Sequence, residues 1–391
     1  MELRIAQLAN FVGPTSGGMK VAIDQLGSGY VAAGARRLLV IPGSTHDWIE
    51  TELGYVVTVA ARPVSGGYRM ILDPRPVLRA LEAFEPTSLE VSDKSTLLPV
   101  TMAARRRGIP TVLFSHERLD AMLSMRIGLQ RELRHPVRMF NGALARVFDH
   151  VVVTSDYAAG EFSGLASVDR ARLHQVPLGV DLQTFRPPPT PPPPSPTLRL
   201  VHAGRLSREK DPHLAVRTAV ALHRRGVPVR LDVYGEGPHR PELEAIAAGS
   251  PVVFHGHVAG RGALARRLGE ADVALSVCSG ETFGLAVLEA LACGTPVVTA
   301  DRGGARELVD EASGAWGRAD EPESLAHAVL RVAERPAAER RAAARARAEH
   351  YPWSRTVSAM LSLHRTLAAS PAAPSPSSRP FRPSPPSLSS R

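Results

Sequence analysis

Short apolar runs of four to six residues alternate with longer stretches of helical spacing along most of the chain. The runs of the first half are Leu3–Leu8, Leu38–Ile41, Val56–Ala60, Ser88–Val91, Thr111–Phe114, Val151–Thr154 and Leu173–Val176, with helical stretches such as Gly18–Ala33 and Ser95–Arg107 between them. A strand with few polar positions is one covered on both faces, and helical stretches between such strands supply the crossovers of a parallel sheet. The alternation therefore predicts an α/β chain with doubly wound parallel sheets.

The alternation stops once and restarts. Pro187–Pro196 reads PPPTPPPPSP, a stiff extended connector by composition. After it come the runs Leu198–Ala203, Val229–Tyr234, Val252–His255, Val273–Val277 and Pro296–Thr299. The first helix after it has Asp211 as expected N-cap, Pro212 at its first position and Gly226 beyond its last turn. These signals divide the chain into a Rossmann-like unit over 1–183, a linker over 184–197, a second Rossmann-like unit over 198–352, a final amphipathic helix over 353–367 and a Pro/Ser/Arg-rich disordered tail over 368–391. A length of 391 residues suffices for two cores of ordinary size.

Cys278 and Cys293, the only cysteines, sit in apolar stretches and read as buried thiols, too few for a disulfide framework and without zinc spacing. No signal peptide precedes Leu3–Leu8, and no apolar run approaches the ~20 residues that span a bilayer, so a cytoplasmic location is expected. The net charge of +9 suits anionic partners or simply a basic surface.

Chemistry concentrates where strands of the second half end. His202-Ala-Gly-Arg205-Leu-Ser-Arg-Glu-Lys210 follows the first of them. A loop can turn Arg205 and Lys210 onto one diphosphate, where paired cations stabilise a phosphate leaving group; taken alone, the pair reads sooner as two solvated surface cations. Glu281-Thr-Phe-Gly-Leu-Ala-Val-Leu-Glu289 follows Val273–Val277 and opens a helix. Amides over Thr282, Phe283, Gly284 and Leu285 would form an anion site at its start. Two carboxylates eight positions apart span ~12 Å along a helix, comparable to the distance from a sugar to a ribose across a diphosphate. The alternative is a capping glutamate plus a surface glutamate, although Glu289 stands among Leu288, Ala290, Leu291 and Ala292, a costly setting for an unpaired carboxylate. Gly303-Gly304-Ala-Arg-Glu307 is a glycine turn into a helix and contributes weakly. In the first half, Gly17 and Gly18 end a glycine loop that lacks the GxGxxG and GK[ST] patterns, and His116 follows the Thr111–Phe114 strand.

Together these segments resemble the GT-B fold of retaining glycosyltransferase family 4. The resemblance rests on GR-L-x-x-E-K at 204–210, E-T-F-G-L-x-x-L-E-A-L-A-C-G-T-P-V-V at 281–298, G-G-x-x-E at 303–307 and P-L-G-V-D-x-x-x-F at 177–185. It extends from residue 1 to about 365. It implies a hexosyltransferase with two Rossmann-like domains facing across a cleft, a nucleotide-sugar co-substrate, and neither cofactor nor metal. Matched position by position, it implies that Arg205 and Lys210 hold the donor phosphates, that Glu281 and His116 contact the transferred sugar, and that Glu289 takes the ribose. Gly17 and Gly18 match the family's N-terminal glycine loop, and the base would lie near Tyr234–Gly237 and His257–Val258. The implied chemistry is front-face attack by the acceptor hydroxyl as the phosphate departs, with domain closure excluding water. The final helix resembles the one that packs back on the N-terminal domain in this family.

V-S-D-K-S-T-L at 91–97 and S-H-E-R-L-D at 115–120 are similar to an actinobacterial mannosyltransferase branch. That implies GDP-mannose and a lipid-linked or glycan acceptor such as a phosphatidylinositol mannoside. Residues 40–75 match nothing assignable. Met122–Arg146 interleaves apolar residues with five arginines and reads either as a face for anionic lipid or as a core-facing helix pair with solvated arginines. The competing readings are a UDP-sugar transferase with a small acceptor, a sugar-nucleotide epimerase, which the 281–298 block opposes, and a nucleic-acid-binding protein, which 5% aromatics and dispersed arginines oppose.

Overall fold

The computed structural model describes residues 2–10, 12, 17–64, 68–118, 134–165 and 168–369. Two sheets organise them. The first runs Leu173–Gln175, His150–Val153, Thr111–Ser115, Ser88–Val91, Arg4–Leu8, Arg36–Gly43, Gly54–Ala60 and Asp47–Thr51 in spatial order. Every neighbouring pair is parallel except the last, where Asp47–Thr51 folds back antiparallel along Gly54–Ala60 as an exposed edge. The second runs Val252–Gly256, Val229–Tyr234, Leu198–Ala203, Val273–Ser276, Val297–Ala300 and Gly314–Gly317, all parallel. The central strands are buried throughout, which is why they do not alternate between apolar and solvent-facing polar positions; the polar residues they carry, such as Glu90, are buried too.

In both sheets the chain reverses its direction of winding beside the first strand, Arg4–Leu8 or Leu198–Ala203. The crevice at such a reversal, beyond the strands' C-terminal ends, is where open α/β sheets take ligands. The final helix, Trp353–Ala369, packs on Gly18–Ala32 of the first unit, with Val357 against Gly29 at a distance that leaves no room for a Cβ.

A buried polar chain fixes that docking. Glu90 accepts from Gln7 Nε2 at 2.8 Å, from Tyr30 Oη at 2.7 Å and from His364 Nε2 at 3.2 Å. His364 Nδ1 lies 2.9 Å from Ser88 Oγ, and Arg37 Nε donates to Gln7 Oε1 at 2.7 Å. Glu90 is 2% exposed and His364 0%, so each depends on its partners. Burial works against the Glu90 carboxylate, but its bonds to His364, Gln7 and Tyr30 prevail and hold its pKa below the usual glutamate value.

Several local expectations change. Asp211 does sit before the helix Pro212–Arg224, but its backbone is left-handed (φ 46°) and its side chain makes no cap bond. The 3-10 turn Arg208–Lys210 runs directly into the helix and forces that conformation. The helix expected from Ser95 begins at Leu98, because Asp93 Oδ1 accepts from the amides of Ser95 and Leu97 and holds them in a turn. The prolines do not bridge open space throughout: Pro188 and Pro187 lie against Gly269 and Gly294 of the second unit. Of the stretch 122–146, the helix Arg134–Val147 is described and 122–133 lies outside the described residues, as does the tail from 370.

Candidate active site

The loop after Leu198–Ala203 carries Arg205, and the 3-10 turn Arg208–Lys210 swings Lys210 toward the loop after Val273–Ser276. There Lys210 Nζ donates to Glu281 Oε2 at 2.6 Å. Burial works against the ammonium, but the Glu281 charge outweighs it and raises Lys210 above the usual lysine value. Cys278 Sγ, 3.1 Å from the Glu209 carbonyl, ties the same two loops together. Burial pushes that thiol up to about 12, so it is a neutral donor rather than a nucleophile. Arg205 makes an ion pair with Glu209 at 3.6 Å and donates to Tyr68 Oη of the first unit at 2.8 Å.

Gly284 is left-handed (φ 102°), and the helix proper, Leu285–Ala292, begins after it. Glu281 is therefore not on the helix axis but in the preceding loop, which corrects the expectation of two carboxylates spaced along one helix. The bend is what lets Glu281 reach Lys210. No side chain caps this helix start, and within its first turn the Val287 and Leu288 amides turn back to the Gly284 carbonyl. Phe283 is buried in the core, where it anchors the loop instead of lining the cleft.

Glu289 lies on that helix beside Arg261, 3.2 Å away, and Arg261 in turn stacks over Phe185. Burial pushes the carboxyl up to about 7, with Arg261 opposing. His257 is exposed on the loop after Val252–Gly256, and Val258 beside it is packed partly against the core.

The first unit faces these groups. Gly18 approaches Leu285 so closely that a Cβ there would lie 3.2 Å from its Cδ1, whereas a Cβ on Gly17 would meet nothing within 4 Å. His116 stacks on Phe114 at 4.4 Å, and its Nε2 lies 3.0 Å from Ser92 Oγ. Burial lowers it to about 4, so the imidazole is neutral at pH 7. Thr282 Oγ1 donates to the His116 carbonyl at 2.6 Å, which joins the two units at the site. The structure thus brings Gly18, His116, Thr282, Leu285, Glu281 and Lys210 together, with Arg205 beside them; Glu289 and His257–Val258 belong to the second unit.

Sequence reasoning passed over Tyr68, Arg261, Ser155 and Cys278. Only Ser155 carried a signal: Ser155-Asp-Tyr-Ala-Ala follows a strand run and reads as a capped helix start, and its hydroxyl accepts from Ala158 N–H.

Residues 17–179 match the family described as glycosyl transferase 4-like domain, and residues 197–335 that described as glycosyl transferases group 1. A GDP-mannose-dependent alpha-(1-6)-phosphatidylinositol dimannoside mannosyltransferase of Mycobacterium tuberculosis is 40% identical over 377 residues, covering 94% of this chain and 97% of that protein. The chain belongs to glycosyltransferase family 4. This glycosyltransferase is also 34% identical to a D-inositol 3-phosphate glycosyltransferase of Xylanimonas cellulosilytica over 239 residues, 55% of this chain and 56% of the other. Its fold is that of the GT-B enzymes. A sucrose-phosphate synthase of Thermosynechococcus elongatus superposes with TM-score 0.76 at 20% identity, covering 94% of this chain and all of that one. HepE of Anabaena, solved with UDP and glucose, gives 0.72 at 20% identity, with 94% and 100% covered. Among the described residues no helix of the glycosyltransferase is long and apolar enough to cross a membrane.

Proposed function

We propose that this glycosyltransferase moves mannose from GDP-mannose to a hydroxyl of a phosphatidylinositol mannoside or a related lipid-linked glycan, with retention of anomeric configuration. The observation that carries the reading is the pairing of Lys210 with Glu281 beside an uncapped helix start, in a chain 40% identical over nearly its full length to a mannosyltransferase of that kind. In this reading Arg205, Lys210 and the 282–285 amides hold the diphosphate, and no metal is needed because fixed cations and amide dipoles neutralise its departing charge. Glu281 and the neutral His116 hold hydroxyls of the mannose, Gly17 and Gly18 leave space beside the donor, Glu289 takes the ribose, and the base rests by His257 and Val258. The acceptor hydroxyl attacks from the face that the diphosphate leaves, and the departing phosphate takes its proton.

The acceptor lipid implies contact with a membrane from the cytoplasmic side. A surface suited to it lies on two adjacent helices, Leu98–Arg106 and Arg134–Val147, where Met102, Met139 and Phe140 are exposed among Arg105, Arg106, Arg138 and Arg146. Arg105 joins the two by donating to the Arg146 carbonyl at 2.6 Å. Interleaved apolar and cationic side chains bind anionic interfaces.

The test is radiolabelled transfer from GDP-mannose, UDP-glucose, UDP-mannose or ADP-glucose to phosphatidylinositol mannosides carried in neutral or anionic vesicles, with product linkage determined by mass spectrometry. GDP-mannose alone should label the lipid, and faster on anionic vesicles. Labelling from a UDP-sugar instead would overturn the donor assignment, and equal rates on both vesicles would remove the membrane surface.

A further inference from the structure

The motif Gly303-Gly304-Ala-Arg-Glu307 has no part in the donor chemistry proposed above, yet its glutamate points out of its own unit. Both oxygens of Glu307 accept from backbone amides of the first unit: Oε2 from Asp156 N–H at 2.9 Å and Oε1 from Tyr157 N–H at 2.7 Å. Three further bonds cross at the same place, the longest from Thr154 Oγ1 to the Thr282 carbonyl at 3.4 Å. Ser155 Oγ donates to the Thr282 carbonyl at 2.5 Å, and Thr282 Oγ1 donates to the His116 carbonyl at 2.6 Å.

The Glu307 segment cannot shift independently of the donor loop. Gly304 N–H donates to the Glu281 carbonyl at 2.7 Å, a Cβ on Gly304 would lie 2.0 Å from the Thr282 oxygen, and one on Gly303 2.8 Å from the Ser279 oxygen. Behind it, Arg347 clamps the backbone by donating to the carbonyls of Glu307 and Leu308, both at 2.9 Å. The carboxylate is thus rigidly mounted on the loop that carries Glu281 and Thr282, and it grips the first unit one strand away from His116.

We propose that Glu307 is a positioning residue that clamps the two domains shut over the donor. It never touches substrate. By capturing the amides of Asp156 and Tyr157 it keeps the Thr282–His116 bond made, and so holds His116 in register with the donor loop. Opening the cleft breaks the two Glu307 bonds and the three Thr282 bonds together, which makes closure switch-like. The donor-contacting role of His116 rests on the proposed function; the clamp itself does not.

Glu307→Ala, Glu307→Gln and Ser155→Ala, each in the full chain, test this. Four quantities are measured: GDP affinity by calorimetry, steady-state transfer from GDP-mannose, melting temperature, and small-angle scattering with and without GDP. Glu307→Ala should keep GDP affinity within about twofold, because the second domain supplies the phosphate contacts, while kcat falls about tenfold or more. Its scattering with GDP should show a more extended particle than the parent. Glu307→Gln has one oxygen for two amides and should fall between, and Ser155→Ala should shift kcat and scattering in the same direction. Unchanged kcat and superimposable scattering overturn the clamp. So does loss of GDP affinity together with a lowered melting temperature, which would make Glu307 a brace of its own domain. If GDP binds neither parent nor variant, the donor assignment fails, and the clamp is decided by scattering without nucleotide: identical profiles refute it and an expanded variant supports it.

Discussion

If Glu289 receives the ribose hydroxyls, donor binding is coupled to a proton. The carboxyl of the unliganded protein titrates at about 7 rather than at the ordinary 4.5, chiefly because burial penalises the charged form and only Arg261 opposes it. A diol donating two hydrogen bonds stabilises the carboxylate and not the acid, so bound donor should return the pKa toward 4.5. The sign follows: the free protein holds the proton more tightly than the complex, so binding releases it and affinity rises with pH up to about 7. Below that, each pH unit costs roughly tenfold in affinity, and over the whole interval of about 2.5 units the coupling amounts to about 3 kcal/mol. Folding has the same linkage. A carboxyl raised above its unfolded value favours the folded state below pH 4.5, and that contribution is lost as pH climbs from 4.5 to 7. Calorimetry with GDP in buffers of different ionisation enthalpy should report release of about half a proton at pH 7 and nearly a full one at pH 6, and dissociation constants between pH 5.5 and 8 should trace the slope. Glu289→Gln should abolish the slope and bind like the parent at low pH. A flat affinity profile with no proton released would show that Glu289 does not meet the ribose.

The other expectations are simpler. If Lys210 holds the donor phosphates, Lys210→Ala, which also leaves Glu281 without its partner at 2.6 Å, should lower kcat/KM for the donor about 100- to 1000-fold with little change in melting temperature. His364→Ala strips a buried carboxylate of one partner and should cost about 3 kcal/mol of stability, read as a lower thermal midpoint at pH 7. Because Glu90 is held below its usual pKa, its contribution is present above pH 4.5 and vanishes as pH falls through the depressed value; the variant's deficit should therefore shrink in acid.

What could be read in the chain was what local chemistry controls. Strand runs such as Thr111–Ser115 and Val297–Ala300 appear close to their expected places because strands covered on both faces carry mostly apolar, β-branched and aromatic residues. The segments 204–210 and 281–289 were legible as candidates because cations, a glycine and carboxylates cluster there just after strand runs; that Gly284 turns left-handed and leaves Glu281 off the helix was not. Long-range pairing left no trace. Glu289 was visibly an expensive carboxylate, but nothing near it in sequence named Arg261, 28 positions earlier, as its partner. Gly314–Gly317 was missed as a strand because GAWG lacks the β-branched residues that mark one; it forms by pairing with Val297–Ala300. The edge strand Asp47–Thr51 was missed for the opposite reason: it is exposed at every position, so no burial pattern selects it.

The chain's two crossings between units lie away from the proposed clamp at Glu307. Val180 N–H donates to the Tyr351 carbonyl at 2.8 Å and Val180 pairs with Pro352, so the outgoing and returning segments run side by side. Gly179 lies so close to Trp353 that a Cβ would sit 2.5 Å from its backbone. Two strands joined at one place form a narrow hinge, and beyond it the helix Trp353–Ala369 is fastened to the first unit through His364 and Glu90. That helix therefore travels with the first unit although it comes last in sequence, and rotation concentrates in the few residues around 179–186 and 350–353. Away from that join, Glu307, Ser155 and Thr282 make their bonds at the far lip of the cleft, where the proposed clamp acts. Each of those bonds joins a short side chain, Glu307, Ser155 or Thr282, to a backbone amide or carbonyl just beyond a strand of the facing unit, and short side chains on fixed backbone cannot follow a rotation far, so the bonds break together.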